Sequence, residues 1–292
     1  MSTKSNLLAR ARVFAVPGLR ACGLGVLGFC GTAPAWAQVT QAGTPTTEDP
    51  TLDRYGSWHD GPNSGSDWNI VAGVGLRAAP EYEGADKLKL SPAPFAALAW
   101  KQGLVTLDLR GLAVYPVKTD NLRLGISVGY GPGRNEDRSD RLTGLGNIDG
   151  AVRTHALMDY RVGLLNFSVD ASKDFGGSDG VEVLSSVSIR IPVAPRLSLL
   201  AGVSATWSDS RYTSAYFGVT SAQSIASGLP IYDAGAGFKR ADADIGIAWA
   251  VSPRWSARAK VGVGRFVGDA ADSPIIEKPT QPFIGLSLAH RF

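Results

Sequence analysis

Apolar and polar residues alternate along most of this chain with a period of two. The segment from Leu122 to Tyr130 shows it most clearly, because its even-numbered residues are all apolar and its odd-numbered residues are arginine, glycine or serine. Successive side chains of a β-strand point to opposite faces, so this pattern predicts a ribbon with one apolar side. The alternation recurs to the C-terminus, in 151–161, 163–172, 180–191, 196–207, 238–251, 254–267 and 281–292.

The length of these segments distinguishes a membrane barrel from a soluble β-sandwich, which also alternates. Each segment runs close to the roughly 9–11 residues that a tilted strand needs to cross a bilayer. The polar faces are rich in glycine and serine, which suits a small lumen. Aromatic residues lie near segment ends, as an interfacial girdle requires: Trp68, Trp100, Tyr115, Tyr130, Tyr160, Trp207, Trp249 and Trp255. The sequence therefore predicts an all-β, antiparallel transmembrane β-barrel.

The number of strands follows from parity. Besides the eight segments above, the first of which extends over 122–131, strands are predicted at 68–79, 93–101 and 103–117, which gives eleven, an odd total. A bacterial single-chain barrel has an even number of strands. Splitting 103–117 at Arg110-Gly111 into 103–109 and 112–117 restores parity and places the long connections 132–150, 208–237 and 268–280 at one end. We predict twelve strands, with ten as the alternative.

The N-terminal region has the features of an export signal. Residues 1–20 carry Lys4, Arg10, Arg12 and Arg20 and no acidic residue, and a short apolar stretch then leads to Ala35-Trp36-Ala37. These features predict a secretory signal peptide over 1–37, cleaved after Ala37. Residues 38–67 are predicted to be a flexible periplasmic lead-in, and 68–292 the barrel in the Gram-negative outer membrane.

Cleavage changes the charge and the cysteine content. The whole chain has a net charge of +3, but four of its 29 basic residues and both cysteines lie in the predicted signal peptide. The mature chain keeps 25 basic and 26 acidic residues, so its net charge is −1. No basic stripe indicates a nucleic-acid partner. A disulfide framework, a cysteine metal site and a cysteine nucleophile are excluded.

Several charged residues fall on the predicted inner face. A charged side chain beside lipid is costly, so the position of these residues on one face of their strands supports the assignment of that face to the lumen. A hairpin about Ser252-Pro253 is predicted to place Asp244 opposite Lys260. Mixed-sign pairs brace a narrow barrel more often than they select a solute, so a structural role is preferred. The lumen-facing charged residues are Arg123, Arg153, His155, Asp159, Arg161, Asp242, Asp244, Arg258 and Lys260.

The last strand carries a candidate insertion signal. Phe292 ends the chain on the apolar face, with Leu288 and His290 at the two preceding positions of that face. A terminal aromatic residue of this kind resembles the signal that bacterial barrel-insertion machinery recognises.

Enzymatic chemistry is not predicted. Of the three histidines, His59 lies in the lead-in, His290 in the insertion signal and His155 on the inner face, where a structural role is the default. No nucleophile elbow, zinc-protease motif or phosphate loop occurs in the mature chain. We therefore predict no catalytic residue, no cofactor and no metal site.

Motifs between the strands resemble the MipA/OmpV family of outer-membrane proteins. They are spread in order over 68–292. The motifs are Trp68 to Gly75, Pro80 to Gly84, Ser91 to Pro94, Gly133-Arg134, Asp140 to Leu142, Leu145-Gly146, Tyr212, Tyr216 to Val219, Tyr232 to Gly235, Gly268 to Ala270 and Ser273 to Ile276.

The resemblance implies a non-enzymatic, MltA-interacting type of protein. The family's named member is a scaffold that bridges a membrane-bound lytic transglycosylase and a bifunctional penicillin-binding protein, whereas other members are described as porin-like, adhesive or stress-responsive. Our first hypothesis is a scaffold that docks cell-wall enzymes through its periplasmic turns or through Gln38 to Ser66. The alternatives are a narrow porin, in which lumen charges select a solute, and an adhesin acting through 208–237. Outer-membrane lipid is a partner under each hypothesis.

Overall fold

The computed structural model describes residues 67–292, and the predicted signal peptide, most of the lead-in and His59 lie outside the described residues. Twelve antiparallel strands form a closed barrel in which each strand pairs with its sequence neighbours and β1 pairs with β12. The fold class and the number of twelve strands are therefore confirmed. The strands are β1 Trp68–Pro80, β2 Leu88–Trp100, β3 Val105–Asp108, β4 Gly111–Lys118, β5 Leu122–Gly131, β6 Ala151–Val162, β7 Leu165–Phe175, β8 Val181–Ala194, β9 Leu197–Ser208, β10 Gly237–Ala250, β11 Trp255–Phe266 and β12 Thr280–Arg291.

The hairpin of β3 and β4 explains why one long segment contains two strands. Asp108 pairs with Gly111, and the Asp108 carboxylate accepts a hydrogen bond of 2.8 Å from the backbone N–H of Arg110. Gly111 has φ +106°, a conformation that L side chains rarely adopt, so a glycine is needed where the chain reverses. The predicted split at Arg110-Gly111 lies within one residue of this turn.

The two faces of the wall differ as the alternation predicts. Ile126, Val128 and Tyr130 are exposed on the outside, whereas Ser127 of the same strand is buried inside. The aromatic residues Trp68, Tyr160, Trp249 and Trp255 are also exposed near strand ends, as a girdle requires. The prediction for Tyr115 is wrong. Its ring is buried in the lumen, because Tyr115 shares the inner face of β4 with Ala113, whereas Leu112 and Val114 are exposed on the outside. A register shift between Val114 and Val117 follows and returns Val117 to the outer face.

The start of β2 is a second correction, since β2 begins at Leu88 and not at residue 93. Pro92 and Pro94 suggested a loop, yet both lie inside the strand. The backbone N–H of Lys101 donates to Asp67, so odd-numbered residues of β2 point their backbone groups at β1 and even-numbered ones at β3. The backbone N–H that each proline lacks would therefore point towards β3. Since β3 pairs only with residues 98–100, that part of β2 has no β3 partner, and proline is tolerated there.

The two ends of the barrel also differ. Both termini of the barrel and five turns of two to four residues lie at one end, and the longer loops lie at the other. Short turns are periplasmic and long loops extracellular in barrels of this kind. The long loops contain α1 Ser210–Phe217, α2 Ser221–Ser227 and α3 Gly268–Asp272, with 3₁₀ turns at Glu136–Arg138 and Asp140–Leu142. No helix within 67–292 is long and apolar enough to cross a membrane.

Candidate functional site

Four extracellular loops form a lid with its own hydrophobic core. The lid comprises residues 81–87, 132–150, 209–236 and 267–279. Leu142 of the β5–β6 loop packs in one buried cluster with Ile275 of the β11–β12 loop. Those two loops are attached to opposite sides of the barrel, because six strands separate them in the sheet order. The lid therefore spans the extracellular mouth. The cluster consists of Tyr82, Ala85, Leu142, Leu145, Val219, Leu229 and Ile275.

Hydrogen bonds join the same loops across the mouth. The Arg134 guanidinium donates 2.6 Å to the backbone carbonyl of Tyr216, and Arg141 donates to the carbonyl of Pro274. The Ser273 hydroxyl donates to the carbonyl of Phe217 at 2.6 Å. Buried backbone groups that are paired in this way fix the loops relative to one another. The lid is thus a packed layer and not a set of separate loops.

A continuous chain of charges lies beneath the lid. Arg153 binds the Asp174 carboxylate through two nitrogens, at 2.5 and 2.8 Å. Arg153 also lies 3.8 Å from Glu182, whose other oxygen is 3.0 Å from the Lys239 ammonium. Lys239 is in turn 3.4 Å from Glu83, which belongs to the lid. Since a buried charge needs a partner, this chain fixes the β1–β2 loop onto the barrel interior.

Aromatic rings enclose the centre of that chain. The Lys239 ammonium lies 4.2 Å from the ring centre of Tyr212 and 5.8 Å from that of Phe217, both in α1. Lys239 itself is only 1% exposed. Burial, together with the nearby carboxylates of Glu182 and Glu83, raises the pKa of the Tyr212 hydroxyl well above its usual value. Tyr212 is therefore a neutral wall of this cage.

A bulge in β10 lets two consecutive cations enter the lumen. Phe238 pairs with Trp207 and Arg240 with Thr206, so Lys239 is the extra residue between two ladder positions. Lys239 and Arg240 are both buried as a result. The Arg240 guanidinium binds Asp242 at 2.8 Å and lies 5.2 Å from the ring centre of Phe266. Asp242 was predicted to face the lumen, and this contact places it there.

The middle of the lumen contains a further ion pair and a contact between a buried histidine and an aspartate. Lys260 lies 3.1 Å from Asp244, as the sequence suggested, but the predicted register is wrong. Asp244 is opposite Gly262 and Lys260 is opposite Gly246, because the β10–β11 turn is centred one residue later than predicted. The pair is therefore diagonal. His155 also lies in the middle of the lumen and is buried, with its Nδ1 2.7 Å from the Asp170 carboxylate.

The remaining sequence-predicted charges lie in the periplasmic half. Arg123 is directly opposite Asp159, and its guanidinium lies 4.1 Å from the ring centre of Tyr115. Arg258 is buried on the inner face of β11. Arg161, at the end of β6, has an inner-face position but is exposed at the rim. These residues are spread around the wall and do not form one cluster.

The C-terminal residues form an aromatic ladder outside the barrel. The His290 ring centre lies 4.7 Å from that of Trp255 and 4.5 Å from that of Phe292. Leu288 is exposed on the same face. The position fits the lipid interface, whereas the role of these residues in insertion stays a prediction.

The sequence did not predict the cage or the packing of the loops into a lid, although five of the seven residues of the lid core lie in the motifs between the strands. Glu83, Glu182 and Lys239 were not predicted as site residues, although Glu182 has inner-face parity in β8. Only the motif of Tyr212 and Tyr216 to Val219 marked the aromatic wall. Within 67–292, no three His, Cys, Asp or Glu side chains are grouped as metal ligands would be. The arrangement that is present pairs charges and holds loops together.

The sequence profile of the family described as MltA-interacting protein MipA matches residues 72–292. No curated protein matches the chain. Among solved structures it is similar to the outer membrane channel DcaP of Acinetobacter baumannii, at 9% identity over 79% of this chain and 99% of that chain, with a TM-score of 0.40. It is also similar to OmpT of Vibrio cholerae, at 10% identity over 77% and 97%, with a TM-score of 0.35.

Proposed function

The chain belongs to the MltA-interacting protein MipA family, and from this membership we propose that it is a non-enzymatic scaffold for cell-wall enzymes. In this proposal the barrel holds a lytic transglycosylase against the inner surface of the outer membrane. A penicillin-binding protein joins the same complex, so that peptidoglycan cleavage and synthesis occur at one place.

The family and the fold together make this an outer-membrane β-barrel. The wall is closed, because each strand pairs with its sequence neighbours and β1 pairs with β12. Its outer face exposes residues such as Val74, Ile245 and Leu286, which a lipid environment covers. The barrel is thus a fixed point in the membrane to which soluble or lipid-anchored proteins can bind.

The lid is the observation that supports a scaffold over a porin. A channel needs a continuous polar path, but here loops from opposite sides of the barrel pack together over the mouth. Beneath them, Lys239 and Arg240 are almost fully buried and paired with carboxylates. Charges that are buried and paired in this way brace a wall, whereas solute-selecting charges line water.

A binding experiment tests this proposal. The full chain, in detergent, is immobilised and mixed with the purified soluble domains of a lytic transglycosylase and of a bifunctional penicillin-binding protein from the same bacterium. We expect each enzyme to be retained alone and both to be retained together. An unrelated twelve-stranded barrel in the same detergent is the control. Equal retention on both barrels, or none on either, would contradict the scaffold.

A truncated chain then separates the two docking regions that the sequence suggested. Removing residues 38–66 leaves every described strand and turn in place. Retention of the enzymes by this variant places docking on the barrel, and its loss places docking on the lead-in. Either result is consistent with the scaffold hypothesis and identifies which of the two regions docks the enzymes.

A further inference from the structure

The periplasmic end of the barrel is strongly basic. Five exposed cations lie in its turns or at its strand ends, and half-buried Arg291 ends β12. Among described residues at this level, the acidic side chains are Asp67 and Asp120 alone. We call this surface the basic rim, and it consists of Lys101, Lys118, Arg161, Arg196, Arg254 and Arg291.

Backbone hydrogen bonds join the rim into one surface. The N–H of Arg291 donates 2.8 Å to the carbonyl of Arg254, and the N–H of Ala250 donates 2.8 Å to that of Arg196. On the far side, the N–H of Arg161 donates 2.7 Å to Asn121 in the next turn. These bonds hold the backbones of neighbouring turns and strand ends of the rim together.

The basic charge continues into the mouth of the lumen. Arg123, Arg190 and Arg258 have inner-face positions one step above the rim, where the described acidic side chain is Asp159. Lys118 also has an inner-face position, since it is opposite Arg123. Much of the positive charge thus lies over the lumen opening and not against the lipid outside the wall.

The opposite end of the barrel has the reverse balance. The five longer loops, 81–87, 132–150, 176–180, 209–236 and 267–279, carry thirteen acidic and six basic side chains. The chain is nearly neutral once the predicted signal peptide is removed, so this difference is a separation of charge and not an overall excess. A surface of one sign concentrates and orients partners of the other sign.

The short turns also limit where a partner can be. Turns of two to four residues do not project far, so the rim lies at the membrane surface. Phospholipid headgroups reach the outside of the wall but not the cations over its opening. A partner must therefore cover the barrel end from below, and a folded protein with an acidic face does so.

We propose that the basic rim is the docking surface for the acidic face of a periplasmic protein held at the outer membrane. This inference rests on the proposed scaffold function, and in that setting the partner is the lytic transglycosylase. Arginine is suited to the contact, because its planar guanidinium binds carboxylates through two parallel hydrogen bonds.

Charge reversal tests the docking surface. The full chain is placed in nanodiscs of zwitterionic phosphatidylcholine, and binding of the soluble transglycosylase domain is measured by biolayer interferometry over a range of salt concentrations. The test variant carries R161E, R196E and R254E. The matched control carries K87E, R211E and K278E, which are exposed at the other end. We expect wild type and control to bind alike, with affinity falling steeply as salt rises, and the rim variant to bind at least about tenfold more weakly.

The outcomes separate the two proposals. Equal binding by wild type and the rim variant overturns docking on the rim but leaves the scaffold intact. No binding to wild type overturns both. A loss that appears only in nanodiscs containing anionic phosphatidylglycerol shows that the rim binds lipid, which also overturns the proposal. Gel migration without boiling checks that each variant is folded, and R196E/R254E, with both changes in turns, replaces the triple variant if that one does not fold.

Discussion

Lys239 and Arg240 are consecutive in sequence, yet both side chains lie inside the barrel. A bulge in β10 produces this arrangement, since it leaves Lys239 without a Cα partner in the β9–β10 ladder. Lys239 then reaches Glu83 and Glu182, whereas Arg240 reaches Asp242. One local irregularity thus supplies the cations for three ion pairs, and the pair of Lys239 with Glu83 holds the lid.

Removing the Lys239 ammonium is expected to loosen the lid. Lys239→Ala removes the cation that pairs with Glu83, while Glu182 keeps Arg153 at 3.8 Å, and breaking a buried pair from one side costs about 3–5 kcal/mol. Urea titration followed by tryptophan fluorescence should show a loss of that size. Lys87→Ala removes an exposed lysine from the β1–β2 loop, which also contains Glu83, and should change stability by under about 0.5 kcal/mol. Similar losses in both variants would show that the cage is not stabilising.

The strand pattern was predictable because burial against lipid repeats every two residues. The start of β2 was not, since Pro92 and Pro94 are tolerated only where the neighbouring strand ends, and that depends on the length of β3. Lys239 was missed for a similar reason, because the alternation assigns odd-numbered residues of β10 to the outside. The contact of Leu142 with Ile275 joins loops that are distant in sequence, and no periodicity reports such packing.

The lid is expected to block conduction. Replacing residues 211–233 by a glycine-serine linker removes Tyr212 and Phe217 from the cage and Val219 and Leu229 from the lid core. In planar bilayers, wild type should give no resolved current steps, and the loop-replacement variant should give steady ones. Arg153→Ala in the wild-type background should leave the current unchanged. If wild type conducts and Arg153→Ala alters the current, the porin alternative is favoured.

Glu83 is expected to make the lid sensitive to pH. Burial raises the pKa of Glu83 above its usual value near 4.5, and Glu182 raises it further, although Lys239 and Arg240 lower it. A raised folded-state pKa gives stability that is fully present at pH below the unfolded-state pKa and is lost as pH rises through the folded-state pKa. Amide-exchange protection in residues 81–87 should therefore fall as pH rises from about 4.5.

A variant identifies the group that is responsible. Glu83→Gln cannot ionise, so the decline in protection should flatten, whereas Asp86→Asn, an exposed change in the same loop, should keep it. A decline that persists unchanged in Glu83→Gln would assign the effect to another group.

The C-terminal aromatic ladder allows recognition by the insertion machinery to be separated from anchoring in lipid. Phe292 is 73% exposed on the outer face and contacts His290, which contacts Trp255. If Phe292 is read as a signal, Phe292→Ala should lower the folded fraction in cells far more than it lowers spontaneous refolding into vesicles. Phe238→Ala removes an exposed phenylalanine from the other end of the barrel and serves as the control. Equal losses in cells and in vesicles would mean that Phe292 only anchors the barrel in lipid, because spontaneous refolding involves no machinery to read a signal.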